Sequence, residues 1–196
     1  MSALLGAKPS VLRCSRCGKF VDWEDARLQV VDSCRSRIEL PPVMVRPARE
    51  TDQAPTLDLF RRDFGHTSLV AFGEVMVLEN QPALVAEMKG ELGGALAYRL
   101  LPDALHIVAL ATDPLWQRLG VGGHLVAEAE LLARQREFDR VVLSTTNDNL
   151  PSLYFYQRRG YCITEVVPGA LLPHGGGVGF AGIQPRDEIR LEKELR

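Results

Sequence analysis

The chain has 196 residues, of which 46% are apolar, and its formal net charge is −2. A chain of this length can bury one substantial core, and a charge so close to neutrality gives no reason to expect nucleic acid or an anionic membrane surface as a partner. No apolar run approaches the roughly 18 residues of a membrane span, and the apolar patch near the N-terminus is too short for a signal peptide. Four cysteines do not make a disulfide framework at this length, so we expect a cytoplasmic protein with reduced thiols.

The chain divides into an N-terminal extension, predicted at residues 1–41, and a main domain, predicted at residues 42–196. Pro41 and Pro42 mark the boundary, because two successive prolines fix backbone angles and remove hydrogen-bond donors.

The extension carries a single C-x-x-C knuckle, Cys14 and Cys17, which resembles half of a zinc ribbon. A structural zinc site needs four ligands, and the second pair is missing because Arg37 stands where the partner of Cys34 would be. A tetrahedral site closed by Cys34 and His66 is the alternative, but a vestigial knuckle or a surface loop is favoured. We therefore assign no metal ligands and expect no zinc.

The first half of the main domain is predicted to form a strand, a helix and an antiparallel meander. The helix is capped at Thr51 or Asp52 and ends near Phe64. The last strand of the meander is apolar on both faces apart from His106 and its final residue, which predicts a place at the centre of a sheet. The strands are predicted from residue 43 onward and at 83–88, 94–100 and 105–112.

The second half alternates helices with strands. The helix at 121–136 carries an apolar stripe, and the crossover through it makes the following strand, 140–145, parallel to the central strand. A further helix after Asn149 leads to two last strands, and the final one is polar on one face, which is typical of an edge strand. These two strands are predicted at 161–167 and 188–195. Together the elements predict an α/β fold with a mixed sheet of about six to seven strands flanked by helices.

A glycine-rich turn connects the central strand to the helix that follows it. Such a turn leaves the first amides of the helix without intrahelical partners, and these amides make a phosphate-binding site with the positive end of the helix dipole. Gly120, Gly122 and Gly123 would let a phosphate approach the backbone. A dinucleotide-binding G-x-G-x-x-G is excluded because Leu125 occupies the third glycine position, and the chain contains no Walker sequence.

The remaining pattern, Q-x-x-G-x-G from Gln117 to Gly122, resembles the coenzyme A pyrophosphate loop of the GNAT superfamily of N-acetyltransferases. A second stretch is similar to the N-x-x-A-x-x-x-Y-x-x-x-G-[FY] pattern of that family, although Ser152 stands where the family usually has alanine. This pattern is matched at Asn149, Tyr156, Gly160 and Tyr161. The resemblance covers about residues 43–195 and implies a GNAT-like sheet, with the antiparallel meander first and a splayed parallel pair in the middle.

The resemblance also implies how acetyl-CoA would be bound. Backbone amides of the glycine-rich turn would bind the pyrophosphate, with the side chain of Gln117 or Arg118 adding a contact. The backbone of the central strand would pair with the pantetheine arm as an extra strand, across a gap from the strand at 140–145. The candidate residues for binding acetyl-CoA are Leu110, Ala111, Thr112, Gln117, Arg118, Leu119, Gly120, Val121, Gly122, Gly123 and Asn149.

Tyr156 is the candidate catalytic residue, because the family pattern makes it the acid that protonates the departing thiolate. A thiol with a pKa of about 8.5 needs only a weak acid, and a phenol with a pKa of about 10 can serve if it is well placed. Tyr154, on a different helix face, is the less favoured acid, and packing of Tyr156 into the core is the alternative to a catalytic role. Asn149 is expected to bind the pantetheine arm, to cap the following helix, or both.

No general base is assigned from the sequence. Glu87 and Glu91 are expected near the cleft, His106 is expected to be a satisfied core residue, and a chain of water molecules is the alternative proton carrier. Cys162 is expected to fill core space. The connection at 168–186 is long and rich in glycine, so we expect a flexible loop beside the acceptor cleft, with a role as lid or specificity loop.

The sequence therefore predicts an N-acetyltransferase that moves an acetyl group from acetyl-CoA to a primary amine by direct transfer in a ternary complex. The alternative is a non-catalytic, regulatory acyl-CoA-binding module whose N-terminal arm binds a partner. The sequence does not identify the acceptor, which is a small molecule or a protein amine, and a homodimer stays open. Neither nucleic acid nor a membrane is expected as a partner.

Overall fold

The computed structural model describes two short N-terminal strands and residues 42–88, 90–117, 119–174 and 179–195. The two short strands, β1 (Val11–Arg13) and β2 (Phe20–Asp22), pair antiparallel. The zinc alternative and the domain boundary stay predictions, because the residues they depend on lie outside the described part of the chain: Cys14, Cys17, Cys34 and Pro41.

A seven-stranded mixed sheet forms the centre of the described chain. Its strands are β3 (Met44–Pro47), β6 (Ala83–Met88), β7 (Glu91–Leu100), β8 (Ala104–Thr112), β9 (Arg140–Thr146), β10 (Cys162–Val167) and β11 (Glu188–Glu194). Their spatial order is β10-β11-β9-β8-β7-β6-β3, and all neighbours are antiparallel except the parallel pair of β8 and β9. The predicted mixed sheet, with its meander and central parallel pair, is confirmed.

Helices cover both faces of this sheet. α1 (Gln53–Phe64) buries Leu59 and Phe60 on one face, and α2 (Val121–Gln135) buries Leu125 on the other. A third helix, α3 (Leu150–Gln157), lies beside the first turn of α2. β8 is buried on both faces, as its apolar sequence predicts, because it lies between α1 and α2.

A small hairpin that the sequence patterns did not predict follows α1. Its strands, β4 (Ser68–Ala71) and β5 (Glu74–Val77), are joined by a tight turn that begins at Phe72, whose φ is 53°. The Phe72 ring meets the His106 ring edge-on at a centroid distance of 4.8 Å, and its amide donates to Glu188 Oε1 at 2.6 Å. These contacts fix the tip of the hairpin against β8 and β11.

The last strand is internal, so the prediction of an edge strand is wrong. β11 pairs with β9 on one side and with β10 on the other. Its polar face is neutralised by cross-strand arginines, since Arg190 binds Glu165 at 2.7 Å and Arg140 binds Glu192 at 2.8 Å. β10 is the edge strand at this end of the sheet, and Cys162, which was expected in the core, is exposed on it.

Hydrogen bonds hold the connection between β10 and β11 near both of its ends, and its expected flexibility and its role as lid or specificity loop stay predictions. Asn147 Oδ1 accepts hydrogen bonds from the amides of Arg186 and Asp187 at 2.9 and 3.0 Å. Asp187 Oδ1 in turn accepts from the Gly169 amide at 2.8 Å. Residues 175–178 lie outside the described part.

Candidate active site

The strands β8 and β9 separate toward their carboxyl ends. Their parallel pairing runs from Ala104 opposite Arg140 to Ile107 opposite Leu143, and then it stops. The register between β7 and β8 leaves Val108 as an extra residue, and such a bulge bends the strand that carries it. Among the described residues, the end of β8 therefore has no strand partner on its β9 side.

The gap opens into a cleft with a volume of about 1410 Å³. It is walled by the end of β8, the start of α2, the end of β9 and α3, and on the opposite side by the end of α1 and by β4. The structure brings most of the predicted site residues to this cleft, namely Leu110, Thr112, Gln117, Gly120, Val121, Gly122, Gly123, Asn149 and Tyr156. Ala111 and Leu119 are instead buried in the two cores, and Arg118 lies outside the described residues.

The start of α2 has the backbone geometry of an anion-binding site. Gly120 is the N-cap of α2, and its φ of 88° is a conformation that residues other than glycine rarely adopt. No side chain caps the start of the helix. The Leu119 amide is used within the turn, donating to the Trp116 carbonyl at 3.4 Å. The amides at the start of α2 and the positive end of its dipole are therefore the groups available to a phosphate.

The close approach of α3 to α2 is a second reason for glycine at positions 122 and 123. A Cβ at Gly122 would lie 3.3 Å from the Phe155 ring, and a Cβ at Gly123 would lie 2.7 Å from Arg159 Nη2. These glycines therefore let the two helices meet, in addition to any role in phosphate binding.

α3 follows its N-cap Asn149 and holds Tyr156 in the cleft wall. The Asn149 side chain accepts from the Ser152 amide at 3.2 Å, which is the capping role predicted for it. Tyr156 is only 6% exposed, and its ring meets those of Phe155 and Tyr161 edge-on at 5.0 and 5.4 Å. Burial raises the pKa of the Tyr156 phenol, so the hydroxyl stays protonated. Among the described residues, this hydroxyl has no hydrogen-bond partner.

Tyr154, the less favoured acid, differs from Tyr156 in both exposure and contacts. Its side chain is 63% exposed, and its hydroxyl accepts from Arg158 Nη1 at 2.7 Å. It lines the same cleft.

Arg159 lines the cleft and is a candidate site residue that the sequence patterns missed. Its guanidinium carbon lies 3.7 Å from the Phe155 ring centroid, and Nη1 donates to the Phe155 carbonyl at 2.9 Å. Burial lowers the pKa of Arg159, and no described carboxylate pairs with it. A partly buried cation thus lies beside the positive end of α2 and forms no salt bridge with a described carboxylate. The only signal in the sequence is a pair of arginines, Arg158 and Arg159, between Tyr156 and Gly160 of the family pattern.

The glutamates expected near the cleft do not line it, so this prediction is wrong. Glu87 forms an ion pair with Arg46, which also binds Asp52 at 2.6 Å. Glu91 begins β7 and is likewise absent from the cleft wall.

His106 is a core residue, as expected, but one of its ring nitrogens lacks the hydrogen bond that was expected for it. Its side chain is 1% exposed, and Nε2 has no hydrogen-bond partner among the described residues. Burial lowers the pKa of His106 from 6.5 to about 4, so the imidazole is neutral at pH 7. It does not line the cleft.

Three carboxylates do line the cleft, and two of them are anchored by the protein. Asp148 accepts from the Thr146 hydroxyl and, at 3.0 Å, from the Phe180 amide. Glu188 accepts from the Phe72 amide and pairs with Arg190 at 3.0 Å. The third is Asp63, at the end of α1.

Two features are absent from the part of the chain that the structure describes. No helix there is long and apolar enough to cross a bilayer. No group of three or more histidine, cysteine, aspartate or glutamate side chains with metal-binding geometry was found within the same residues.

Comparison with known proteins gives consistent matches. The sequence profile described as "Acetyltransferase (GNAT) family" matches residues 45–161. The uncharacterised protein YdhI of Bacillus subtilis is 28% identical over 160 residues, which is 78% of this chain and 99% of that protein. An IAA acetyltransferase from Bacillus cereus superposes with a TM-score of 0.62 at 20% identity, over 78% of this chain and 99% of that one. A Bacillus subtilis acetyltransferase in complex with CoA superposes with a TM-score of 0.60 at 23% identity, over 81% of this chain and 100% of that one. The two structures share the fold.

Proposed function

Because the chain belongs to the GNAT family of acetyltransferases, we propose that it moves an acetyl group from acetyl-CoA to a primary amine by direct transfer in a ternary complex. The observation that carries the proposal is one cleft in which an unpaired strand edge, an uncapped helix start and a buried, protonated tyrosine meet. The CoA bound to the Bacillus subtilis neighbour supports it, since that protein has the same fold. In this proposal residues 42–196 form the acetyltransferase domain of a cytoplasmic enzyme, and residues 1–41 form an extension.

Acetyl-CoA would lie along the gap between β8 and β9. The free edge of β8 from Leu110 to Thr112 offers backbone groups to the pantetheine amides, as a neighbouring strand would. The amides at the start of α2 would bind the pyrophosphate, and Gln117 lies beside them in the cleft wall. Arg159 would supply a positive charge to a phosphate group, which explains why it has no carboxylate partner among the described residues.

The acetyl group would react near the place where β8 leaves β9. Holding both reactants in one cleft can lower the activation free energy by up to roughly 7–11 kcal/mol. A backbone amide near Leu110 would stabilise the developing oxyanion, and the Tyr156 hydroxyl would protonate the departing thiolate. Burial raises the pKa of Tyr156, but the same desolvation makes a thiolate in the cleft more basic, so the proton transfer stays feasible.

A thiol-release assay with a panel of primary amines tests the proposed function. We expect amine-dependent release of CoA thiol, and we expect mass spectrometry to show one added acetyl group on the amine that reacts. Binding of acetyl-CoA without any amine-dependent thiol release across the panel would contradict the enzyme and favour the non-catalytic acyl-CoA-binding module.

A further inference from the structure

Asp63 occupies a position where the pattern of α1 calls for an apolar residue. The buried residues of α1 are Thr56, Leu59 and Phe60, and a helical period of about 3.6 residues puts position 63 on the same stripe. A carboxylate there conflicts with the local pattern, and such conflicts are expected at functional sites. At this end of α1 the stripe reaches the cleft, which Asp63 and Phe64 line.

Asp63 is the cleft carboxylate without a partner among the residues that the structure describes. The arginines that precede it are paired elsewhere, Arg61 with Asp58 at 2.9 Å and Arg62 with Asp113 at 3.1 Å. Since Asp148 and Glu188 are anchored by backbone amides and by neighbouring side chains, Asp63 is the acid left for a ligand.

The location of Asp63 near the end of α1 is electrostatically unfavourable for a negative charge. α1 ends at the C-cap Gly65, and a carboxylate in the last turn of a helix faces the negative end of the dipole. Although its side chain is exposed to the cleft, the surrounding protein removes enough water to raise the pKa of Asp63 above 3.8. A cationic ligand would offset both effects.

Several apolar side chains line the same cleft as Asp63. β4 contributes only Leu69, Val70 and Ala71 to the cleft, and the connection before β11 contributes Phe180 and Pro185. A ligand that places its charge at Asp63 would therefore rest an apolar body against these side chains.

We propose that Asp63 binds the amino group of the acceptor and removes a proton from it, and that the acceptor is a primary amine carried on an apolar body. This inference rests on the proposed acetyl transfer. An ammonium ion gives one proton to the Asp63 carboxylate, and the lone pair of the neutral nitrogen then forms the C–N bond while the C–S bond breaks. The thiolate takes the Tyr156 proton, and Tyr156 regains one through water from the nitrogen as the amide forms. Asp63 releases its proton to solvent, so one proton is released per turnover.

Other charged and titratable side chains also face the cleft and will contribute to its pH dependence. They come from the segment after α1, from the turn between β9 and α3, from α3 and the two residues after it, and from β11. These side chains are His66, Tyr154, Tyr156, Arg158, Arg159, Asp148 and Glu188. A comparison of variants that differ only at Asp63 separates its contribution from theirs.

The test compares Asp63→Asn with Asp58→Asn, a matched control on the exposed face of the same helix, using 2-phenylethylamine as acceptor. We expect Asp63→Asn to lower kcat/KM for the amine on the order of 10²-fold, with the KM for acetyl-CoA within about twofold of wild type. Its Tm should be unchanged or higher, because an unfavourable charge is removed. In wild type and in Asp63→Glu, kcat/KM should fall at acid pH as the carboxylate protonates, and this acidic limb should be lost in Asp63→Asn.

Four results would overturn the inference. Activity of Asp63→Asn equal to that of Asp58→Asn would remove Asp63 from the reaction, and a loss that follows a lowered Tm would assign it a structural role. A kcat/KM for glucosamine equal to that for 2-phenylethylamine would reject the apolar acceptor. A wild-type protein that acetylates no amine would overturn the proposed function and this inference with it, whereas an active wild type with an equally active Asp63→Asn would overturn the inference alone.

Discussion

Replacing Tyr156 with phenylalanine is expected to lower kcat for acetyl transfer by on the order of 10²-fold or more, with the affinity for acetyl-CoA unchanged. The variant keeps the ring that packs against Phe155 and Tyr161 and removes only the hydroxyl, which has no partner among the described residues. The fold should therefore be undisturbed, and the loss should fall on proton delivery to the thiolate. Steady-state thiol release together with thermal unfolding measures both quantities.

Tyr154→Phe is the matched control for this experiment. Tyr154 lies on the same helix, but its hydroxyl is bound to Arg158 and its side chain is exposed, so we expect kcat to stay within about twofold of wild type. If Tyr156→Phe keeps wild-type kcat while Tyr154→Phe loses it, the two tyrosines have been assigned the wrong way round. If neither variant changes kcat, the thiolate is protonated by another group.

Replacing His106 with leucine is expected to make the stability of the protein less sensitive to acid. The pKa of His106 is about 4 in the folded protein, against an ordinary value of 6.5. Between these values the unfolded chain binds a proton that the folded chain does not, so wild-type stability falls as pH decreases from about 6.5 to about 4. The pKa shift corresponds to a loss of about 3 kcal/mol in the free energy of unfolding between pH 6.5 and pH 4. Because leucine does not titrate, His106→Leu should lack this loss.

Urea unfolding at a series of pH values measures this effect as the difference between wild type and variant. Carboxylates whose pKa is lowered in the folded state, such as Asp52, add their own acid sensitivity to both proteins, and the difference removes it. His124, which is exposed on the first turn of α2, provides the control variant His124→Gln. If the free energy of unfolding of wild type and of His106→Leu changes with pH in the same way, the pKa of His106 is not lowered in the folded protein.

The fold was predictable because its key elements have local signatures. The apolar run of β8 predicts a central strand, and the glycine turn at Gly120 marks the start of α2. The β4–β5 hairpin escaped prediction because it is short and its anchors are distant in sequence, with Phe72 contacting His106 and Glu188. β11 was misjudged as an edge strand because its charges are neutralised across neighbouring strands, which a pattern within one strand does not reveal.

The residues of the candidate site that lie within motifs could be proposed from the sequence. Tyr156, Asn149 and the glycines of the α2 turn are spaced along the chain as the family pattern requires, and the structure brings them to one cleft. Arg159 and Asp63 became recognisable only in three dimensions, since what distinguishes each is a missing partner. An unpaired charge cannot be inferred from sequence, because the same residue types elsewhere in the chain, such as Arg62 and Asp113, neutralise each other.

Calorimetric titration of acetyl-CoA into the purified wild-type protein tests the central claim most directly, because the claim is that the cleft between β8 and β9 binds the acyl donor. The prediction is saturable binding at one site per chain with a Kd at or below roughly 1 mM, weakened about tenfold in Arg159→Gln through loss of a charge-assisted phosphate contact. No heat at millimolar acetyl-CoA, from a protein shown to be folded, would contradict it.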